Sequence, residues 1–132
     1  MTENELLKTA RDGLLGLHKS LVDFERGVYE ADHGVMTAAQ FLSVLLEDTE
    51  FSWLRRFSTL IVDIDEMFAQ KDGYDTDQVA VHLAAVRKLI GMEEEDEGFK
   101  ARYRAALARD PDAAAKHGEL KVLLFRSSST KE

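Results

Sequence analysis

Apolar residues return along this chain at helical spacing, and the stretch FSWLRRFSTLIVDIDEMFAQ, Phe51 to Gln70, carries that pattern most fully. Trp53, Leu54, Phe57, Leu60, Ile61, Ile64, Met67 and Phe68 share one side of a helical wheel and span roughly 140° at about 100° per residue. Arg55, Thr59 and Glu66 point the other way. Within VDIDE, apolar and acidic residues alternate as in a strand, but the longer helical period around it outweighs that short run. The spacing therefore predicts a central helix over 51–70. Fully burying one large apolar side chain is worth roughly 1.5–3 kcal/mol, so a face this broad must meet two or more neighbouring helices.

The same reading extends to the rest of the chain. Leu7, Leu14, Leu21 and Val28 repeat every seven residues, flanked by Ala10, Leu17 and Phe24, which predicts a first helix from about Glu3 to Asp32. A continuous helix of that length is roughly 45 Å long. Its stripe passes through Gly13, Gly16 and Gly27, each costing up to about 1 kcal/mol against Ala unless a neighbour needs the space. His33-Gly34 ends it, and Thr37 to Gln40 matches a capping box opening a short second helix through Phe41, Leu42, Leu45 and Leu46. Glu47 to Glu50 forms a polar break, with Asp48 or Thr49 as the cap of the central helix.

Lys71 to Asp75 reads as a turn, not a calcium loop, because the twelfth position from Asp72 is Leu83 where a glutamate is needed. Asp75 or Thr76 caps a fourth helix carrying Val79, Leu83, Val86, Leu89 and Ile90, and Gly91 stops it. The acidic run Glu93 to Glu97 reads as a solvated loop whose last charges favour the next helix's N-terminus. Phe99, Tyr103, Ala106 and Leu107 mark a fifth helix, and Asp110-Pro111 restarts a last one through Ala113, Ala114, Leu120, Leu123 and Leu124. A single domain over 1–126, followed by a disordered polar tail at 127–132, is the expected organisation.

Two of these stretches, LLGLHKSLVDFERGVYE at Leu14 to Glu30 and FSWLRRFSTLIVDIDE at Phe51 to Glu66, together resemble a family of small bacterial all-helical proteins to which no function is attached. The resemblance runs from the first helix to the last. It implies a bacterial origin and an all-α fold, and it carries over no catalytic residue.

Composition narrows the function classes. The chain has 132 residues, with 45% hydrophobic and 32% charged, which is ordinary for a soluble globular protein. It has no cysteine, so disulfides, thiolate metal sites and cysteine nucleophiles are excluded. The net charge of −8 argues against a nucleic-acid partner, because phosphate contacts need clustered Lys and Arg. Trp53 beside Arg55 and Arg56 suggests a stacking surface for RNA only in isolation, since Trp53 reads as core. Apolar runs are too short to span a bilayer, and MTENELLK lacks the order of a signal peptide, so a cytoplasmic protein with no membrane partner is expected.

Candidate chemistry lies in polar residues on apolar faces. Arg11, His18, Glu25 and Asp32 repeat every seven residues and track one line along the first helix, in or beside its stripe. His82 sits between Val79 and Val86, and His117 between Ala113 and Leu120. Asp65 and Ser58 border the central stripe on one side, Arg56 and Asp63 on the other. His18, Glu25, His82 and His117 are thus candidate ligands for a divalent transition metal inside a bundle. The Glu-x-x-His spacing of di-iron bundles occurs only at Glu30 to His33, at a helix end. The competing reading is a buried polar network of Arg11, His18, Glu25, Arg55, Arg56 and Asp65, with Glu25 meeting Arg55 or Arg56 across a helix pair.

No nucleophile elbow, phosphate-binding Gly loop or dinucleotide fingerprint occurs, and Ser20 and Ser43 have no recognisable base partner. The expectation is an all-α bundle of five to six helices, with the first helix antiparallel to the central one. Its expected role is a non-catalytic protein-interaction or oligomerisation module without a cofactor. A homodimer formed through part of the first or central helix is expected, and another protein partner is compatible with this role. The alternative is a metal- or small-ligand-binding bundle, extending to an enzyme that uses the inward carboxylates and histidines as acid and base.

Overall fold

A computed structural model describes residues 1–93 and 95–126. Among them, six α-helices form an all-α bundle: α1 Glu3–His33, α2 Ala38–Glu47, α3 Arg55–Phe68, α4 Thr76–Ile90, α5 Glu97–Arg109 and α6 Pro111–Lys121. A 3₁₀ helix, Thr49–Leu54, leads into α3, and a π-helical turn, Val122–Arg126, follows α6. The expected tail at 127–132 lies outside the described residues.

Local chemistry sets the helix starts. Capping boxes open α1 at Thr2 and Glu5, α2 at Thr37 and Gln40, and α4 at Asp75 and Gln78. Asp96 caps α5, and Asp110 caps α6 with Pro111 in its first turn. Gly91 caps the end of α4, as expected. It keeps right-handed geometry, and a Cβ there would meet Arg87 O at 2.8 Å and Phe125 Cζ at 3.2 Å, so the close approach requires glycine. The left-handed step falls instead on Met92, with φ 55°.

The predicted central helix over 51–70 is two elements. Asp48 accepts from Glu50 N and starts a 3₁₀ helix, and regular α-helix begins only at Arg55. The tighter winding places Phe51 and Leu54 on one side, a 3₁₀ turn apart, and both are buried, as is Trp53. Phe51 reaches Tyr29 of α1 and Phe41 of α2, with ring centroids 6.0 and 5.9 Å away.

The core is organised around α1. It packs on α3, α4 and α6, and it touches both short helical turns. Arg11 near its start pairs with Asp65 late in α3, while Tyr29 near its end meets Phe51 just before α3, so the two helices are antiparallel as expected. Leu7, Leu14, Leu17 and Leu21 are fully covered by their own chain, together with Phe57, Ile64, Leu83 and Tyr103. Phe24 and Val28, further along the α1 stripe, are only partly buried. At Gly13 an added Cβ would lie 2.7 Å from Leu120 Cδ2, so this glycine is what lets α6 lie close on α1. Gly27 has no neighbour in that direction within 4 Å.

The helix α2 departs most from its expected role. Phe41 is buried, and Val44 and Leu45 pack on the core edge, but Leu42 and Leu46 remain 54% and 61% exposed. Among the described residues, no helix is long and apolar enough to cross a membrane.

Candidate functional site

The last three turns of α1 extend past the dense core. There, Glu25, Val28, Tyr29, Asp32 and His33 lie on one helical face, spaced at zero, three, four, seven and eight residues. Opposite them, α5 presents Arg102, Ala105, Ala106 and Arg109 with the same kind of spacing. Asp48 to Phe51, with Trp53, complete the lining. The result is an open cleft of about 650 Å³. Ala105 and Ala106 between the two arginines leave room for it.

Its charges are held apart. Glu25 is half-buried, and burial pushes its carboxyl above the usual glutamate range; Arg109 and Arg102 pull it back and Glu50 adds to the rise. The Arg102 guanidinium donates to the Glu50 backbone carbonyl at 2.8 Å. The Arg109 guanidinium stands over the Phe24 ring, 5.3 Å from its centroid. Among the described residues, neither arginine comes within ion-pair distance of a carboxylate, and Glu25 makes no hydrogen bond. The aromatic wall is rigid: the Tyr29 ring stacks on His33 at 4.0 Å, and His33 Nδ1 donates to the Tyr29 carbonyl at 3.1 Å.

The expected polar network is present only in part. Arg11 grips Asp65 through two hydrogen bonds of 2.8 Å, holding α1 to α3 and keeping the Asp65 carboxyl below its usual range. Glu25 does not meet Arg55 or Arg56; it faces Arg102 and Arg109 of α5. Arg55 is drawn away because it caps the end of α2, donating to the carbonyls of Leu46 and Leu45. Arg56 reaches Asp96 at 2.7 Å and lies over Phe99, tying α3 to α5. His18 is half-buried, and burial lowers its pKa.

The histidines have separate surroundings. His82 Nδ1 donates to the Gln78 carbonyl one turn back in α4, at 2.7 Å. His117 Nδ1 shares a 2.6 Å hydrogen bond with the hydroxyl of Tyr103, whose buried phenol stays protonated well beyond its usual range. Among the described residues, no three His, Cys, Asp or Glu side chains gather where they could hold a metal ion, so no three of His18, Glu25, His82 and His117 converge.

Two features escaped the sequence reading. Arg102 and Arg109 stand seven residues apart, as Glu25 and Asp32 do, and that shared interval was the available signal. Ser20 also has a partner: its buried hydroxyl donates to Asp110 Oδ2 at 3.0 Å, while Asp110 Oδ1 accepts from Asp112 N. That carboxylate caps α6 and anchors it to α1, a structural assignment. Compared with family models, curated proteins and solved structures, the chain has no match, so its function is argued from this geometry.

Proposed function

We propose that the protein is a non-catalytic interaction module that pairs with a second copy of itself through the outer face of α2. The observation that carries this reading is the exposure of that face. Leu42 and Leu46 lie one helical turn apart and are 54% and 61% exposed, and Val35, just before the helix, is 93% exposed. Single exposed apolar residues are ordinary, but apolar residues aligned on one helix face mark a surface that is covered in use.

Charge supports the same reading. The whole chain carries −8, yet Glu47, at its end, is the only charged residue of α2. Depletion of charge over an apolar patch is the composition expected at the centre of an interface. A two-fold pairing places this patch on itself, so the acidic remainder of each chain stays at the rim or in solvent.

Sedimentation velocity on the full chain tests the proposal. The wild type is expected to sediment with twice the chain mass at micromolar concentration. Replacing Leu42 and Leu46 by Glu is expected to give the single-chain mass with unchanged helical circular dichroism. A wild type that stays at 14.9 kDa throughout that range overturns the self-pairing.

A further inference from the structure

The cleft between α1 and α5 has a property that folding alone does not account for. Charges of both signs face a common space without neutralising one another. A Glu and two Arg free to move would collapse into a salt bridge, but here each is restrained. Arg102 is fastened to a backbone carbonyl, and Arg109 is laid over Phe24. Glu25 projects from rigid helix and has no bonded partner among the described residues, yet it lies near enough to both guanidinium groups to interact with their charge. Holding polar groups apart before a ligand arrives lowers the cost of ordering them on binding.

Shape narrows the ligand. A volume of about 650 Å³ suits a small molecule. Val28 and Tyr29 line the same space, with the edges of the buried Phe51 and Trp53 behind them, so part of the ligand is apolar. Charge narrows it further. A simple anion attracted to the arginines meets Glu25, with Asp32, Asp48 and Glu50 also at the lining; a simple cation attracted to those carboxylates meets two guanidinium groups. Only a ligand carrying both signs a few bonds apart satisfies both. The planar fork of Arg matches a carboxylate, and a carboxylate such as Glu25 accepts from an ammonium group.

We propose that this cleft binds a zwitterion of the α-amino-acid type with an apolar side chain, its carboxylate on Arg102 and Arg109 and its ammonium on Glu25. The side chain lies against Val28 and Tyr29. The site is contained within one chain and does not rest on self-association through α2.

The experiment is a titration of the isotopically labelled full chain with L-phenylalanine and L-leucine, up to about 10 mM, followed by amide NMR. Concentration-dependent shifts confined to residues 24–33, 48–53 and 102–109 are expected for at least one of them. N-acetyl-L-phenylalanine, which lacks the ammonium, and L-phenylalaninamide, which lacks the carboxylate, are each expected to bind at least about tenfold more weakly. The Glu25→Gln and Arg109→Gln variants, with amide spectra showing an intact fold, are expected to lose a similar factor. Absence of shifts with both amino acids, equal binding of a capped form, or undiminished binding to Glu25→Gln overturns the proposal.

Discussion

At the scale of single residues, Glu25 is held in the fold against its own preference. Its carboxyl is pushed above the usual glutamate range by burial, so the folded chain takes up a proton more readily than the unfolded one. A group with a raised folded pKa contributes stability at low pH, and that contribution is lost as pH rises through the folded value. At neutral pH the charged Glu25 therefore weighs against folding. Glu25→Gln is expected to raise Tm by about 1–4 °C at pH 7, with the gain shrinking towards pH 4, measured by circular dichroism melting. An unchanged or lower Tm at neutral pH contradicts this account. The glycines of α1 provide a second comparison. Gly27→Ala, in open space, is expected to stabilise by up to about 1 kcal/mol through helix propensity. Gly13→Ala carries the same propensity gain but drives a methyl into buried Leu120, and overpacking of about 1–3 kcal/mol outweighs it. Urea denaturation of the two variants should give opposite signs.

Between elements, the joint between α1 and the α5–α6 corner depends on one carboxylate. Asp110 caps α6 and also accepts the buried Ser20 hydroxyl. Asp110→Ala removes the cap, worth about 1 kcal/mol, and leaves the Ser20 hydroxyl without that partner at a further cost of about 1 kcal/mol or more. Ser20→Ala keeps the cap but leaves the buried Asp110 Oδ2 without that donor, and should cost about 1 kcal/mol, less than Asp110→Ala in the same urea melts. Equal costs would mean that the cap contributes nothing. This joint also shows which parts of the fold could be read in advance. The starts of α2, α4 and α6 were legible because Thr37 with Gln40, the cap at Asp75 or Thr76, and Asp110 with Pro111 act within one turn of chain. The break at Leu54 was not, because a 3₁₀ helix of six residues and an α-helix give nearly the same apolar pattern over so short a run. Ser20 with Asp110, and Glu25 with Arg102 and Arg109, were hidden for another reason. Their meeting depends on how α1 lies against α5 and α6, and many pairings of charged residues are equally compatible with helical spacing. Half of the candidate cleft, the α1 line through Glu25 and Asp32, was visible as misplaced polarity; its basic half on α5 was not.

For the whole molecule, burial sets the response to acid. His18 and His117 both have their pKa lowered chiefly by desolvation, with Lys121 adding to the effect at His117. Both are therefore neutral in the fold at a pH where the unfolded chain already binds protons. Linkage then fixes the sign: stability from these groups is complete above the usual histidine range and is lost as pH falls through it towards the lower folded values. At His117 the ring is also held by its 2.6 Å hydrogen bond to the Tyr103 hydroxyl inside the α5–α6 contact. The aspartates Asp65 and Asp96, lowered by their hydrogen bonds and arginine partners, lose their contribution at more acidic pH, as pH falls through the usual carboxylate range towards their lower folded values. The acid response therefore has two separate limbs. Thermal melts between about pH 7.5 and about pH 5.5 should show Tm falling over the histidine limb, before the lowered aspartates matter and with only the opposing rise from Glu25 to offset it. The double variant His18→Gln, His117→Asn should flatten that limb and leave the acidic one unchanged, because its amides do not titrate and Asn offers the Tyr103 hydroxyl an oxygen acceptor. A wild-type Tm that stays level across the histidine range, or a double variant with the same slope, would mean that both rings take up protons in the fold as readily as in the open chain.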